Sequence, residues 1–345
     1  MAPERQARLV LRPEHDEWRL IEEHPELCDA VILRESHLAP YPAGHSLEDH
    51  PEHLLSAVHG RGLGLWRDPE TAGLYSRSVL RLPDKSRFLQ TPYALAFEPP
   101  LDLGLLAHDA PRRHLLEIAT ATQAGNEASV APYFDVDKRD SPAARLNLNL
   151  SRELARSVAE QVPTAWLQMT RHRFLSGLAG ALAGDYAAAG VRRIVLRVRG
   201  LQSQRAGAVE LKAYLDAIEA FESRGIEAFG DCAGMLGPVL VAGGASGFST
   251  GTRFFRSVGG ALVATPGGGG GSPIAVQPAG GWSEVPRPAE QEVHATRVAN
   301  MQTLRDLTGL AAKDPDALVA SLLRDGGAYP AAWASVLAGR KRRAV

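Results

Sequence analysis

The sequence predicts an α/β protein, a (β/α)8 TIM-type barrel with a C-terminal helical extension. Three observations carry that expectation. Short apolar runs alternate with helix-like stretches between residues 128 and 250, the runs start roughly 20 to 35 residues apart, and several helix-like stretches stop at a glycine. A parallel strand needs a crossover long enough for a helix before the next one begins, so this rhythm is that of a parallel sheet.

Taken in order, Asp29–Arg34 (DAVILR) and Gly62–Trp66 (GLGLW) are the first two predicted strands. The third lies within Leu89–Leu106, where three prolines interrupt the pattern, and Pro111–Ala124 is its helix. Strands four to eight are Ser129–Asp135, Ala165–Met169, Arg193–Val198, Ile226–Gly230 and Gly247–Thr250, with a ninth short run at Ala261–Ala264. Between them, Ala144–Gln161 starts near Ser141–Pro142 and repeats Leu146, Leu150, Leu154 and Val158 at a helical spacing. Phe174–Ala189 ends at Gly190. Ala206–Arg224 gathers Val209, Leu211, Tyr214, Leu215, Ile218 and Phe221 and ends at Gly225. Eight strands suit a closed barrel. An open doubly wound sheet is the alternative, but its Gly-rich fingerprint follows the first strand, whereas Gly60, Gly62 and Gly64 offer only GxGxG inside one.

The composition shifts after residue 265. Residues 1–265 are read as the barrel, 266–288 as a flexible Gly/Pro-rich loop that includes five consecutive glycines, and 289–345 as helices that pack on the barrel or at an interface. The 345 residues carry 45% hydrophobic and 22% charged side chains with a net charge of -1, which gives no global pull toward nucleic acid or a membrane. Cys28 and Cys232 lie far apart and outside any CxxC pair, so neither a disulfide framework nor a structural zinc site is expected. The opening MAPERQARLVLRPEHDEW is charged throughout, unlike a signal peptide, and no apolar run is long enough to span a bilayer. A cytoplasmic protein is expected.

In such barrels the reacting groups sit where strands end. The candidate catalytic residues are therefore Glu35, Asp68, Asp135, Asp137 and Asp231, carboxylates from four predicted strand ends. The candidate substrate-binding residues are Arg34, His172, Arg197, Arg199, Gln202, Ser249 and Thr250. Carboxylates of unlike pKa suit acid/base or nucleophilic work, and arginines beside them suit a phosphate or carboxylate on the substrate. Within Arg193–Val198 the residues of one parity (Ile194, Leu196, Val198) are apolar and should face the helices, which directs Arg197 and Arg199 into the barrel. There they need a carboxylate, Asp231 being the nearest candidate, or an anion held jointly with the Gly243–Gly251 turn. Cys232 has no adjacent histidine base and reads as a bystander thiol. No metal-ligand set and no cofactor are nominated.

Strand-end aspartates in a barrel resemble the layout of the tRNA-guanine transglycosylase family over residues 60–255. GLGLWRDPETAGL (62–74) and GDCAGMLGPVLVAGGASGF (230–248) are the stretches that carry the likeness. The resemblance implies an N-glycosidic, nucleobase-bearing substrate class, but the chain lacks that family's CxCxxC…H zinc motif. The functional expectation is a hydrolytic or glycosyl-transferring enzyme acting on a glycosidic, N-glycosidic or phosphate-bearing substrate. The partner is then a small-molecule or nucleotide-type anion, with no membrane. The alternative is a non-catalytic barrel serving as a binding subunit, with a protein partner on the C-terminal helices.

Overall fold

The computed structural model describes residues 7–14, 17–40, 51–83, 86–201, 206–251, 274–276, 282–284, 290–324 and 328–344. Eight parallel strands form a nearly closed barrel: β1 (Arg8–Leu11), β2 (Ala30–Arg34), β3 (Gly64–Asp68), β4 (Ala128–Val130), β5 (Val162–Thr170), β6 (Arg193–Arg199), β7 (Glu227–Gly230) and β8 (Gly247–Thr250). They run in the order β3-β2-β1-β8-β7-β6-β5-β4. Arg8 of β1 pairs with Gly247 of β8, and Arg34 of β2 with Asp68 of β3. The seam falls between β3 and β4, which share no strand ladder.

Side chains close that seam. Val130, at the free edge of β4, donates its N–H to Oε1 of Gln123 at 2.5 Å, and its carbonyl accepts from Nε2 of Gln123 at 2.8 Å. The hydroxyl of Thr71 accepts from the N–H of Tyr133 at 2.8 Å and donates to its carbonyl at 2.9 Å. Buried backbone groups must find partners, and here an amide and a hydroxyl replace a missing strand. Lower in the seam, Gly64 leaves room for Glu127: a β-carbon there would lie 1.9 Å from Glu127 Oε2.

Two strand assignments differ from the sequence expectation. The true first strand is Arg8–Leu11, so the runs predicted as strands one and two are β2 and β3. Leu89–Leu106 contains no strand. It forms short helical turns whose Phe88, Tyr93, Phe97, Leu101 and Leu106 join a separate apolar cluster against the helices Asp109–Thr122 and Pro142–Ser157. Apolar residues interrupted by proline satisfy either reading, and packing on the barrel's flank decided between them. The run Ala261–Ala264 lies outside the described residues.

Local signals account for the elements that matched. The hydroxyl of Ser141 accepts from the N–H of Ala144 with Pro142 in the first helical turn, and the helix runs Pro142–Ser157. Gly190 and Gly225 take left-handed φ values of 81° and 75° where the chain leaves a helix for β6 and β7. The stretch predicted as Phe174–Ala189 is broken into three short helices, Arg171–Leu175, Leu178–Ala181 and Ala183–Ala188. Gly177, at φ 80°, separates the first two.

The strand parities sort cleanly. Leu9, Leu11, Val31, Leu33, Leu65, Leu167, Ile194, Leu196, Val198 and Phe248 face the outer helices. Val10, Ala30, Ile32, Trp66, Ala128, Val130, Trp166, Val195 and Phe229 fill the interior. Below this apolar plug, Glu127 is shared by Arg8 and Arg193 (2.5 and 2.9 Å), and Arg193 also reaches Glu227. The helices Glu290–Lys313, Pro315–Arg324 and Ala328–Ala344 add Met301, Leu304, Leu318, Trp333 and Leu337 to the outer core, with the Trp333 indole donating to the Ala206 carbonyl at 2.6 Å. Within 266–288, Ile274–Val276 and Trp282–Glu284 pair antiparallel. Among the described residues no helix is long and apolar enough to cross a membrane.

Candidate active site at the barrel mouth

The C-terminal ends of β1, β3, β6 and β7 place Arg12, Asp68, Arg197 and Asp231 in one buried cluster. Arg12 bonds Asp68 at 2.5 Å and Asp231 at 3.0 Å; Arg197 bonds Asp68 at 2.6 Å and also bonds Asp231. Further donors engage both aspartates. Asp68 accepts from the Tyr133 hydroxyl at 2.8 Å and the Glu70 N–H at 3.0 Å, and Asp231 accepts from the Ser249 hydroxyl. Tyr133 in turn accepts from Arg197 and stacks on Trp166, with ring centroids 6.1 Å apart.

Burial opposes the charge on these acids, and the two guanidinium groups more than overcome it. Asp231 is held down to about 2, and Asp68 lies below the usual carboxylate range. Burial holds the Tyr133 hydroxyl well above its ordinary range, so it stays protonated and donates. The cluster is neutral as a set, with four hydrogen bonds to Asp68 and three to Asp231. Neither aspartate has a pKa suited to taking up a proton near neutral pH.

Above this floor the groups are half-exposed and less committed. Asp135, just beyond β4, accepts from Gln168 Nε2 at 2.9 Å and lies 3.1 Å from Arg199 Nε. Burial raises its carboxyl above the ordinary value, and Arg199 and Gln168 offset only part of that. On the opposite rim, Arg34 reaches Glu14 at 3.2 Å. Glu70 accepts from the Ser36 N–H at 2.9 Å, and burial raises its carboxyl against the pull of Arg34. Two non-glycine residues of this rim, Glu70 and Cys232, take positive φ values of 51° and 52°, a conformation that L-residues adopt at a cost. Burial pushes the Cys232 thiol up to about 11, which keeps it protonated.

The sequence-predicted residues thus separate into groups. Asp68, Asp231, Arg197 and Ser249 form the floor, and Asp135, Arg199 and Arg34 form the rim. Thr250 is buried beside them and donates to the Gly251 carbonyl. Glu35 is turned out of the barrel, since it follows Arg34 with the opposite parity. It forms a two-pronged pair with Arg67, at 2.8 Å for each contact, behind the strands. Asp137 and His172 are exposed, His172 on the short Arg171–Leu175 helix. Gln202 lies outside the described residues. The glycines at 243 and 244 precede β8 and lie at the other end of the barrel, so within the Gly243–Gly251 stretch the mouth is reached by Ser249, Thr250 and Gly251.

Sequence reasoning missed Arg12, Glu70, Tyr133 and Gln168. A signal for Arg12 was present: Arg8-Leu9-Val10-Leu11-Arg12 repeats the pattern of Arg193-Ile194-Val195-Leu196-Arg197. In both strands the first arginine enters the lower ion cluster and the second the upper one.

No family model, no curated protein and no solved structure matches this chain. The fold is compatible with catalysis or with binding, and the choice between them rests on the chemistry of the mouth.

Proposed function

We propose that the barrel mouth is the active site of an enzyme acting on a small anionic substrate, with Asp135 as the proton-transferring group and Arg199 and Arg34 as the anion partners. The observation that carries this reading is the contrast among the carboxylates. Asp68 and Asp231 are each held between two arginines and kept low, whereas Asp135 is held high with one oxygen engaged by Gln168 and Arg199. A general acid works best when its pKa is lifted toward the working pH. Arg34 and Arg199 are each 29% exposed, and each makes one carboxylate ion pair, with Glu14 and Asp135, for five N–H donors, which leaves donors for a phosphate or carboxylate. Glu70, close to the seam that Thr71 and Tyr133 bridge, supplies a second raised carboxyl. Paired-carboxylate chemistry on a glycosidic or N-glycosidic bond would draw on Asp135 and Glu70 and leave the floor aspartates intact.

The ion-paired floor favours one other reading, a barrel that binds its ligand without transforming it. A thermal-shift screen of phosphate- and carboxylate-bearing small molecules distinguishes the two. An anion that stabilises the wild type and loses that effect in Arg199→Ala supports the site, and turnover of that anion lost in Asp135→Asn supports catalysis. A stabilising anion recovered unchanged after long incubation favours the binding role. Stabilisation that survives the Arg34→Ala/Arg199→Ala double substitution refutes the site.

A further inference from the structure

Away from the mouth, the helix Glu290–Lys313 packs against the short helix Trp18–Glu23 and the turn after it. Three side chains meet there. One potential ligand atom from each of Glu23, His24 and His294 lies within 4.8 Å of the others. The two imidazole rings are 6.3 Å apart between centroids, and Nε2 of His294 is 2.9 Å from Glu23 Oε2. Glu26 Oε1 lies 3.3 Å from Nδ1 of His24.

An exposed His–Glu pair explains part of this arrangement and contributes little energy. By itself that pair does not call for the second imidazole turned into the same space. Two neutral imidazoles and a carboxylate are instead a donor set that suits zinc and its d-block neighbours. Bonds of about 2.0–2.2 Å to one ion require the ligand atoms to close up by only an ångström or so, within reach of half-exposed side chains. Glu26 is placed to orient the His24 ring, as carboxylates beside metal-bound histidines do.

We propose that Glu23, His24 and His294 form a three-ligand site for a divalent d-block cation, with zinc as the best fit, that ties the C-terminal helix to the N-terminal part of the barrel. The ion would add to two ion pairs along the same contact, Arg297 with Glu17 at 3.3 Å and Arg305 with Asp29 at 2.5 Å. Its role is to stabilise the docked helix, because a ligand bound only by the folded state raises stability by mass action.

The test uses the full chain stripped of metal with a chelator and titrated with Zn2+ alone, followed by calorimetry and thermal melting. The expected result is one ion per chain, a raised melting temperature, and slower amide exchange in the N-terminal half of the Glu290–Lys313 helix. His24→Ala and His294→Ala should each weaken binding by about 100-fold or more, beyond the loss typical of an outer-shell partner. Circular dichroism of the metal-free variants checks that they fold, with His24→Gln and His294→Gln as replacements where they do not. No binding by the wild type, or binding equally tight after both histidine substitutions, overturns the proposal.

Discussion

Arg12, just past β1, and Arg197, on β6, hold matching positions with β8 and β7 between their strands, and share both Asp68 and Asp231. With Tyr133 from beyond β4 and Ser249 from β8, this cluster ties six strands together at their C-terminal ends. Such a network is costly to leave half-made. Removing one partner strands a buried charge, and that loss typically costs about 3–5 kcal/mol. Arg197→Met is therefore expected to destabilise the protein by about that much in urea unfolding, and Arg12→Met by a similar amount. A loss below about 1 kcal/mol for either would show that the cluster is solvated and not the buried clamp described here.

The same cluster sets the acid response. Asp231 has its folded pKa depressed from 3.8 to about 2, and Asp68 is depressed as well. A depressed carboxylate contributes stability that is present above its unfolded value and lost as pH falls through the folded one. The melting temperature should therefore hold as pH drops toward 4 and fall between about 3.8 and 2 as these carboxylates protonate. In Arg197→Met, Asp68 and Asp231 each lose a neighbouring cation, so their folded values rise toward the unfolded one and the acid-dependent fall should be smaller and end at a higher pH. Identical pH profiles for the two proteins would contradict the assignment.

Gln123 and Thr71 stand where a neighbouring strand would pair with β4. Gln123→Leu removes both partners of Val130 in a buried setting, at about 1–3 kcal/mol for each unsatisfied group. Thr71→Val does the same to Tyr133. Each variant should be destabilised by about 2–5 kcal/mol, and the pair should couple because both guard one seam. Hydrogen exchange at Val130 and Tyr133 gives a local check: their amides should lose protection before those of β6. Unchanged protection would mean that the seam is held by packing alone.

The parts of the fold legible in the sequence were those governed by local periodicity. β6 announced both its identity and its inward face, because Ile194, Leu196 and Val198 alternate with Arg193, Val195 and Arg197. Gly190 and Gly225 marked helix ends for a steric reason that needs no tertiary context. β1 was hidden because its four residues lie in a charged segment, and a buried arginine reads as a surface one until its partners are known. Those partners are 56 and 219 residues away. The proline-interrupted apolar run at 89–106 was misread because flank packing and strand burial select the same residue types. At the mouth, strand-end position alone nominated Glu35 along with Asp68, yet parity turns Glu35 outward to Arg67. Which carboxylate is held low between two arginines and which is held high depends on contacts across the barrel, and no local pattern records them.

Asp135 offers the clearest separation of function from stability. Its folded pKa is raised, chiefly by burial. The sign is therefore opposite to that of Asp231: a raised carboxyl favours the fold when protonated, and that contribution is lost as pH rises through the folded value. Asp135→Asn removes the titration while an amide oxygen can still accept from Gln168. The variant should be at least as stable as the wild type at pH 7, and its advantage should shrink on acidification as the wild-type carboxyl takes up its proton. Arg199 and Gln168 both pull the pKa down, so Arg199→Ala or Gln168→Leu should move it further up, read by carbon NMR titration of the side-chain carboxyl. If Asp135 supplies the proton in turnover, the alkaline limb of the rate profile should move up with it in Arg199→Ala. A carboxyl that titrates at or below the ordinary aspartate value, or one that ignores the loss of Arg199, would remove Asp135 from the role proposed for it.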